Sequence, residues 1–424
     1  MQLEASDQAT TTDQLQTHAS ATQEPLVRFA STRPEVEVVN RFWLGNLVSM
    51  NVDTDRFSLS EVARVKNVVA IHTDSRYTVD TVAGGLLSDP VSAANGSYTY
   101  GLEQINAPTA WENYGTQGEG ASVAVLDTGV DGDHPDIDLA GWQEFDGNGN
   151  PVDSQPNDGQ GHGTHVSGTA TGAANPAGDV PSFGVAPNAD LYGVKVLDNG
   201  GSFTQITAGM QWAVEQNIDI ISMSLGATGF YDQMIAPVRD AHAAGTVVIT
   251  SAGNSGAGSS GSPGNVYDSI AVGASNSNQG IASFSSGEVV DTANDWGSSA
   301  PGDWPSQYTV PTIAAPGVDT LSSVPGGGYD DTYSGTSMAA PHVSGAVALA
   351  ESATNGSLAP QTIEDALEAT AFKPGDAPAP PGERDTRYGS GIIDANALIQ
   401  YLQGAEDEPL LTDHRERAGR HRTR

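Results

Sequence analysis

Three short apolar runs, each closing on a small polar cluster, constrain this 424-residue chain more than any other feature. Val123 to Leu126 runs into Asp127, Thr128 and Gly129. Ile218 to Met223 runs into Ser224, Leu225 and Gly226. Thr246 to Thr250 runs into Ser251, Ala252, Gly253 and Asn254. Such runs suit strands buried on both faces, as in a parallel sheet covered by helices on either side. The expected architecture is therefore a doubly wound α/β domain. In such sheets ligands bind outside the carboxyl ends of the strands, which is where these polar clusters fall.

Residues 335–345 read Gly-Thr-Ser-Met-Ala-Ala-Pro-His-Val-Ser-Gly, ahead of a run of small and apolar residues that ends near Ala350. Ser337 thus lies at the start of a helix, where backbone N–H groups and the positive end of the helix dipole converge. An ordinary N-cap fits the same pattern, so the serine reads as a nucleophile only if a base and an orienting group exist. Residues 161–165, Gly-His-Gly-Thr-His, offer His162, and Asp127 offers a carboxylate. Histidine titrates near neutrality and can take the serine proton, and a buried carboxylate can hold the ring in one tautomer. His165, three residues after His162, invites a metal reading. It has no third ligand nearby and the chain has no cysteine, so it reads as a packed helix residue. Asn254 fits either an amide donor to an oxyanion or a turn asparagine.

Together these segments resemble the signature blocks of the subtilisin-like serine proteases, the subtilases, over about Tyr100 to Leu402. The resemblance implies a doubly wound, mostly parallel sheet and a serine endopeptidase acting on proteins or peptides through an acyl-enzyme. Ser337 would be the nucleophile, His162 the general base and then acid, and Asp127 the orienting group. Asn254 and the backbone N–H of Ser337 would form the oxyanion hole. Ser224, Leu225 and Gly226 would form an edge to which the substrate backbone adds as a strand, although Leu225 also fits plain core packing. A specificity pocket would lie between that edge and Ala252, Gly253 and Gly261 to Gly264, open enough for large apolar side chains. The chemistry needs no cofactor. Asp136 and Asn175 match ligands of a structural calcium site common in the family, although the loop 175–183 is longer than usual. A peptide-binding pseudoenzyme would lack a triad member. An esterase of another α/β type would show Gly-x-Ser-x-Gly with serine before histidine. Neither pattern is present.

Charge sharpens the picture. The formal net charge is −35, and only three lysines occur: Lys66, Lys195 and Lys373. Salt screens the self-repulsion of so acidic a surface, and the composition resembles the halolysins, subtilases of haloarchaea. Residues 1–95 hold seven basic residues, whereas 96–400 hold five. This asymmetry suggests two bodies with complementary fields. Residues 1–24 read as a disordered polar tail. Residues 25–97 resemble the small α+β inhibitory prodomain of subtilases or else form an unrelated accessory domain. Within them, Trp43 to Val52 and Val68 to His72 read as strands, and Ser58 to Val65 as a short helix. Self-cleavage is expected between Tyr77 and about Ser97. Residues 98–402 are the catalytic domain. Residues 403–424 are a disordered charged end, acidic and then basic, without the aromatic interleaving of a nucleic-acid module. No run is long enough to span a membrane. A monomeric, extracellular enzyme is expected. Yet Met1 to Asp7 shows no signal peptide, which leaves a missing start, another export route or retention inside the cell. Residues 287–311 depart from the family pattern. They carry acids with Trp296 and Trp304, and could bind an ion, shape the cleft or do neither.

Overall fold

The computed structural model of the chain describes residues 8–79, 82–83, 97–356, 358–375 and 377–407. An N-terminal unit comes first: α1 (Gln8–Ser31), the antiparallel pair β1 (Val36–Phe42) and β2 (Leu47–Val52), and the single turn α2 (Leu59–Val62). Two short strands follow, β3 (Arg76–Tyr77) and β4 (Val82–Ala83), and then α3 (Tyr100–Gln104) and α4 (Ala107–Tyr114). The large domain continues through β5 (Ser122–Asp127), β6 (Leu139–Phe145), β7 (Pro151–Val152), α5 (His162–Thr171), β8 (Asp190–Lys195), β9 (Gly201–Ser202) and α6 (Phe203–Glu215). Next come β10 (Ile220–Met223), β11 (Ala227–Thr228), α7 (Ile235–Ala243), β12 (Val247–Ser251), β13 (Gly261–Ser262) and β14 (Ile270–Ser275). The hairpin β15 (Glu288–Asp291) and β16 (Gln307–Val310) precedes β17 (Ile313–Pro316), β18 (Thr320–Val324) and β19 (Gly328–Ser334). Helices α8 (Thr336–Thr354), α9 (Pro360–Thr370) and α10 (Ala395–Asp407) complete the described chain.

Eight strands form the central sheet in the order β17-β14-β12-β10-β5-β8-β6-β7. All neighbours are parallel except β6 and β7. From β5 the chain runs out to β6, returns to insert β8 between the two, and then crosses to the other side to build outward through β10, β12, β14 and β17. The topological switch therefore lies beside β5. Both faces are apolar, as the uninterrupted runs require. Val123 and Val125 join one core cluster with Met338, Val343 and Val347, while Ala124 and Leu126 join the other with Ile206, Met210 and Val238. Each buried Val or Leu contributes about 1.5–3 kcal/mol. Helix α8 approaches α5 and the chain after it closely. A Cβ on Gly345 would stand 2.5 Å from Val185 Cβ and 3.0 Å from Ala170 O.

The N-terminal unit departs from expectation. Residues 8–24 are helical rather than disordered, because tertiary contacts favour a helix that composition alone does not suggest. Ala19 and Ala30 are buried, and the buried Gln23 donates from Nε2 to Phe42 O at 2.8 Å. The strand expected over Trp43 to Val52 is confined to β2, after a 3₁₀ turn at Leu44–Asn46, and its partner β1 was not anticipated. Val68 to His72 has apolar character but no ladder partner, and it forms no strand; Val69 is 98 % exposed. The short helix holds only as α2, with Ser58 as its cap. Helix α10 extends to Asp407, past the expected boundary at Leu402. Residues 1–7 and 408–424, and most of the stretch expected to hold the self-cleavage site, lie outside the described residues.

The unit docks on α6 and α7 through the turn after β1. Trp43 N donates to Gln211 Oε1 at 2.9 Å, Trp43 Nε1 to Glu215 Oε1 at 2.7 Å, and Gly45 N to Asp240 Oδ2 at 2.7 Å. Asp74 accepts from Thr204 N in the first turn of α6 at 3.0 Å. These contacts pair neutral donors with acceptor groups more than they pair opposite charges. His72 Nδ1 also lies 3.4 Å from Asp232 Oδ1 across the two bodies.

The close approach of α8 yields a stability test. Gly345→Ala, made in a Ser337→Ala background so that proteolysis does not intervene, is expected to lower stability by about 1–3 kcal/mol through overpacking. Urea unfolding measures this, and an unchanged midpoint would show that the Val185 contact relaxes freely.

Candidate active site

Strand β5 delivers Asp127 to the carboxyl edge of the sheet, where its side chain is fully buried. Its Oδ1 accepts from Thr128 N and from His162 Nδ1, both at 2.7 Å. Donation from Nδ1 leaves Nε2 as the basic nitrogen of His162. That atom is buried and has no hydrogen-bond partner among the described residues. His162 is the first residue of α5, and Ser337 is the second of α8. Ser337 Oγ donates to Ser224 O at 3.2 Å, while Ser224 Oγ donates to Ser337 O at 2.7 Å. The serine hydroxyl is thus bonded to the end of β10 and not to His162 Nε2. Hydrogen bonds between a nucleophile and its base commonly form only with substrate in place.

Asn254 follows β12, facing the start of α8. Its Oδ1 accepts from Thr336 N at 2.8 Å and Thr336 Oγ1 at 3.0 Å. Thr336 Oγ1 in turn accepts from Gly253 N at 3.2 Å. With the carbonyl end of the amide so engaged, the Nδ2 donors point away from Thr336. His165 is fully buried and sits in the packed position expected of it. Its Nε2 lies 2.9 Å from Thr320 O, and its ring stacks on Tyr333 at 4.4 Å. Burial, helped by the neighbouring His162, pushes its pKa down to about 3.

A pocket opens beside Ser337. Ser224, Leu225, Gly226, Gly253, Asn254 and Gly261 line it, in agreement with the sequence. Leu225 lines the pocket, and its side chain also belongs to the apolar core. Ala252 and Gly264 do not line the pocket. Ala252 is buried in the core, and Gly264 lies behind the wall, with Ser251 O 2.4 Å from where a Cβ would stand. The pocket is also more polar than expected, because Ser251, Ser255, Ser260 and Ser286 face it.

The chain matches the profile of the subtilase family over residues 118–391. Subtilisin E of Bacillus subtilis (strain 168) is 38 % identical over 312 residues, covering 72 % of each chain. The intracellular serine protease of Paenibacillus polymyxa is 38 % identical over 331 residues, 75 % of this chain and 90 % of that protein. Alkaline elastase YaB of a Bacillus strain is 38 % identical over 306 residues, covering 71 % of this chain and 70 % of its own. The chain belongs to the subtilase family. This subtilase is a serine-type endopeptidase, and its substrates are proteins. Among the described residues, no helix is long and apolar enough to cross a membrane.

Asp136 and the loop that carries Asn175 are joined directly: Ala173 N donates to Asp136 O at 3.1 Å and Ala177 N to Asp136 Oδ1 at 2.7 Å. Asp136 is buried, and its oxygens accept from Ala177 N at 2.7 Å and Tyr329 OH at 2.5 Å. Asn175 is exposed, and no group of three or more His, Cys, Asp or Glu among the described residues is placed to hold a metal.

Sequence reasoning missed Asp158. Its Oδ1 accepts from Gly161 N at 2.8 Å, Gln160 N at 3.0 Å and Thr128 Oγ1 at 3.0 Å. Its Oδ2 accepts from Thr164 N at 2.8 Å and Thr164 Oγ1 at 2.7 Å. One carboxylate thereby closes the N-terminus of α5 and ties it to Thr128, next to Asp127. The available signal was an aspartate shortly before a helix start. Asp158→Ala leaves several buried donors unmatched and is expected to destabilise the protein by about 2–3 kcal/mol. Thermal unfolding checks this, and no loss of stability would show that water replaces the carboxylate.

Proposed function

We propose that Asp127, His162 and Ser337 form the catalytic triad of this endopeptidase and that Asn254 donates to the oxyanion. The observation that carries this reading is the fully buried 2.7 Å bond between Asp127 Oδ1 and His162 Nδ1, beside Ser337 at a helix start. Ser337 Oγ attacks the substrate carbonyl carbon as its proton passes to His162 Nε2. The oxyanion so formed accepts from Asn254 Nδ2 and from Ser337 N. Collapse of this intermediate breaks the C–N bond, and His162 returns the proton to the leaving amine. Water, deprotonated by His162, then releases the acyl group. The edge at Ser224 to Gly226 receives the substrate as an added strand. The proposed chemistry draws on protein groups alone.

The N-terminal unit is proposed to be an inhibitory prodomain that the enzyme removes from itself. Its described segments support this. Thr78 exchanges two backbone hydrogen bonds with Gly226, at 3.0 and 2.9 Å, and β3 pairs antiparallel with β9. Residues 76–78 therefore lie between two cleft edges in the manner of an added strand. Strand β4 pairs with Tyr333 and Ser334, just ahead of Ser337. Salt adaptation of the halolysin kind, export and a monomeric state complete the reading, for which the acidic surface is the main support.

Ser337→Ala is expected to abolish casein hydrolysis and to leave the precursor uncut, as seen by mass spectrometry of the purified chain. Normal digestion by that variant would remove Ser337 from the mechanism. Asn254→Ala is expected to reduce kcat by roughly 10²–10³ with little change in KM. Dilution from molar to low salt is expected to unfold the enzyme, as followed by tryptophan fluorescence. Full activity at low ionic strength would end the salt-adapted reading.

A further inference from the structure

The insertion at 287–311 packs against the outside of the pocket at several separate points. One pocket wall is the antiparallel pair β11 and β13, in which Ala227 faces Ser262 and Thr228 faces Gly261. Asn265, fully buried, fastens this wall. Its Nδ2 donates to Gly229 O at 3.0 Å and Ser260 Oγ at 3.1 Å, and its Oδ1 accepts from Ser262 Oγ at 2.6 Å.

Asn265 is held in turn from the insertion. Tyr308 OH donates to Asn265 O at 2.6 Å and accepts from Trp296 Nε1 at 2.7 Å. The ring of Trp296 meets Phe230, just past β11, edge-on at 5.0 Å. Ser299 Oγ donates to Asp232 Oδ2 at 2.5 Å. At the other end of the insertion, Gly287 O accepts from Gly258 N at 2.8 Å, and Glu288 Oε1 accepts from Ser260 Oγ at 2.5 Å. Trp296, Trp304 and Tyr308 are all buried, and Trp304 is anchored by donation to Asp268 Oδ2 at 2.8 Å. Both chain segments of the wall are thus gripped from behind by one aromatic-cored hairpin.

We propose that segment 287–311 is a buttress that sets the shape of the pocket receiving the side chain on the acyl side of the scissile bond. Tyr308 is its positioning residue, acting through Asn265 on the Ser260–Gly261 wall. The proposal rests on the reading of this pocket as the substrate pocket. A binding wall displaced by a fraction of an ångström alters the fit of large side chains and leaves small ones largely unaffected. Tyr308→Phe keeps the ring packing and removes both hydrogen bonds of the hydroxyl.

The test compares peptide nitroanilides that differ only in that one residue, phenylalanine against alanine, with rates normalised by active-site titration. Tyr308→Phe is expected to change the phenylalanine-to-alanine ratio of kcat/KM by about tenfold, mostly through KM. Trp296→Phe, which removes the same Tyr308 contact from the other side, is expected to shift the ratio in the same direction. Equal loss on both substrates, or no change in the ratio, would overturn the proposal. Ser255→Lys, at an exposed position on the pocket, keeps the two readings apart. It is expected to favour a glutamate substrate. If it leaves preference untouched, the pocket is not the substrate pocket and the buttress falls with it. If it responds while Tyr308→Phe does not, only the buttress falls.

Discussion

A sheet buried on both faces has no room for an unsatisfied polar group, so polar chemistry collects where its strands end. Asp127 shows the constraint at its sharpest. A carboxylate with no exposed surface is tolerable only with strong donors around it. Its Oδ1 has Thr128 N and His162 Nδ1, each at 2.7 Å, while its buried Oδ2 has no partner among the described residues. The bond that makes burial of Asp127 acceptable is the same bond that leaves His162 Nε2 basic. Asp158 applies this logic one layer out, with five donors on one carboxylate at the start of α5.

The parts of the molecule legible in the sequence are those where burial dictates a pattern. Strands β5, β10 and β12 had to be continuous apolar runs, and the residues after them had to be small and polar. Asp127, Asn254 and the Ser224–Gly226 edge were visible for that reason. The illegible parts depend on partners distant in the chain. Nothing local in residues 8–24 announces a helix, because what holds it is Gln23 reaching Phe42 and two alanines packed below. Val68 to His72 has strand propensity without a neighbouring edge to pair with, and propensity alone does not make a strand. The bond from Tyr329 OH to Asp136 Oδ2 joins residues far apart in the chain and has no local signal. Serines at the pocket could be read as turn residues until β15 and its neighbours placed them.

The charge asymmetry also has a structural account. The five basic residues between positions 97 and 400 are all engaged internally. Lys195 meets Asp198, Arg239 meets Asp268 and Asp303, Lys373 meets Asp385, and Arg384 meets Glu364 and Glu368. Arg387 donates to the carbonyls of Ser285 and Ala282. Asp385 and Glu364 are largely buried, whereas Asp198 and Asp303 are exposed. With these five cations engaged, screening of the remaining surface carboxylates falls to the solvent ions. A mutation that frees one of these five would cost local structure before it changed the net field.

Under the proposed reading of the cleft, its occupants are distinguished by side chain more than by backbone. Strand addition at Gly226 offers the same amide and carbonyl to residues 76–78 as to any extended peptide. Two such bonds contribute only about 1 kcal/mol each in net terms. Retention of residues 76–78 must therefore draw on other contacts. Tyr77 is fully buried, packs 5.8 Å from Tyr231 and receives a hydrogen bond from Gln233, and the turn at Trp43 to Gly45 holds the unit on α6 and α7. Under the proposed inhibitory role, cutting the covalent link would leave these anchors intact, so cleavage alone would not clear the cleft. The same reasoning applies to substrates. If the backbone pairing is indifferent to sequence, selectivity must come from the pocket wall, and the wall is only as definite as the hairpin behind it.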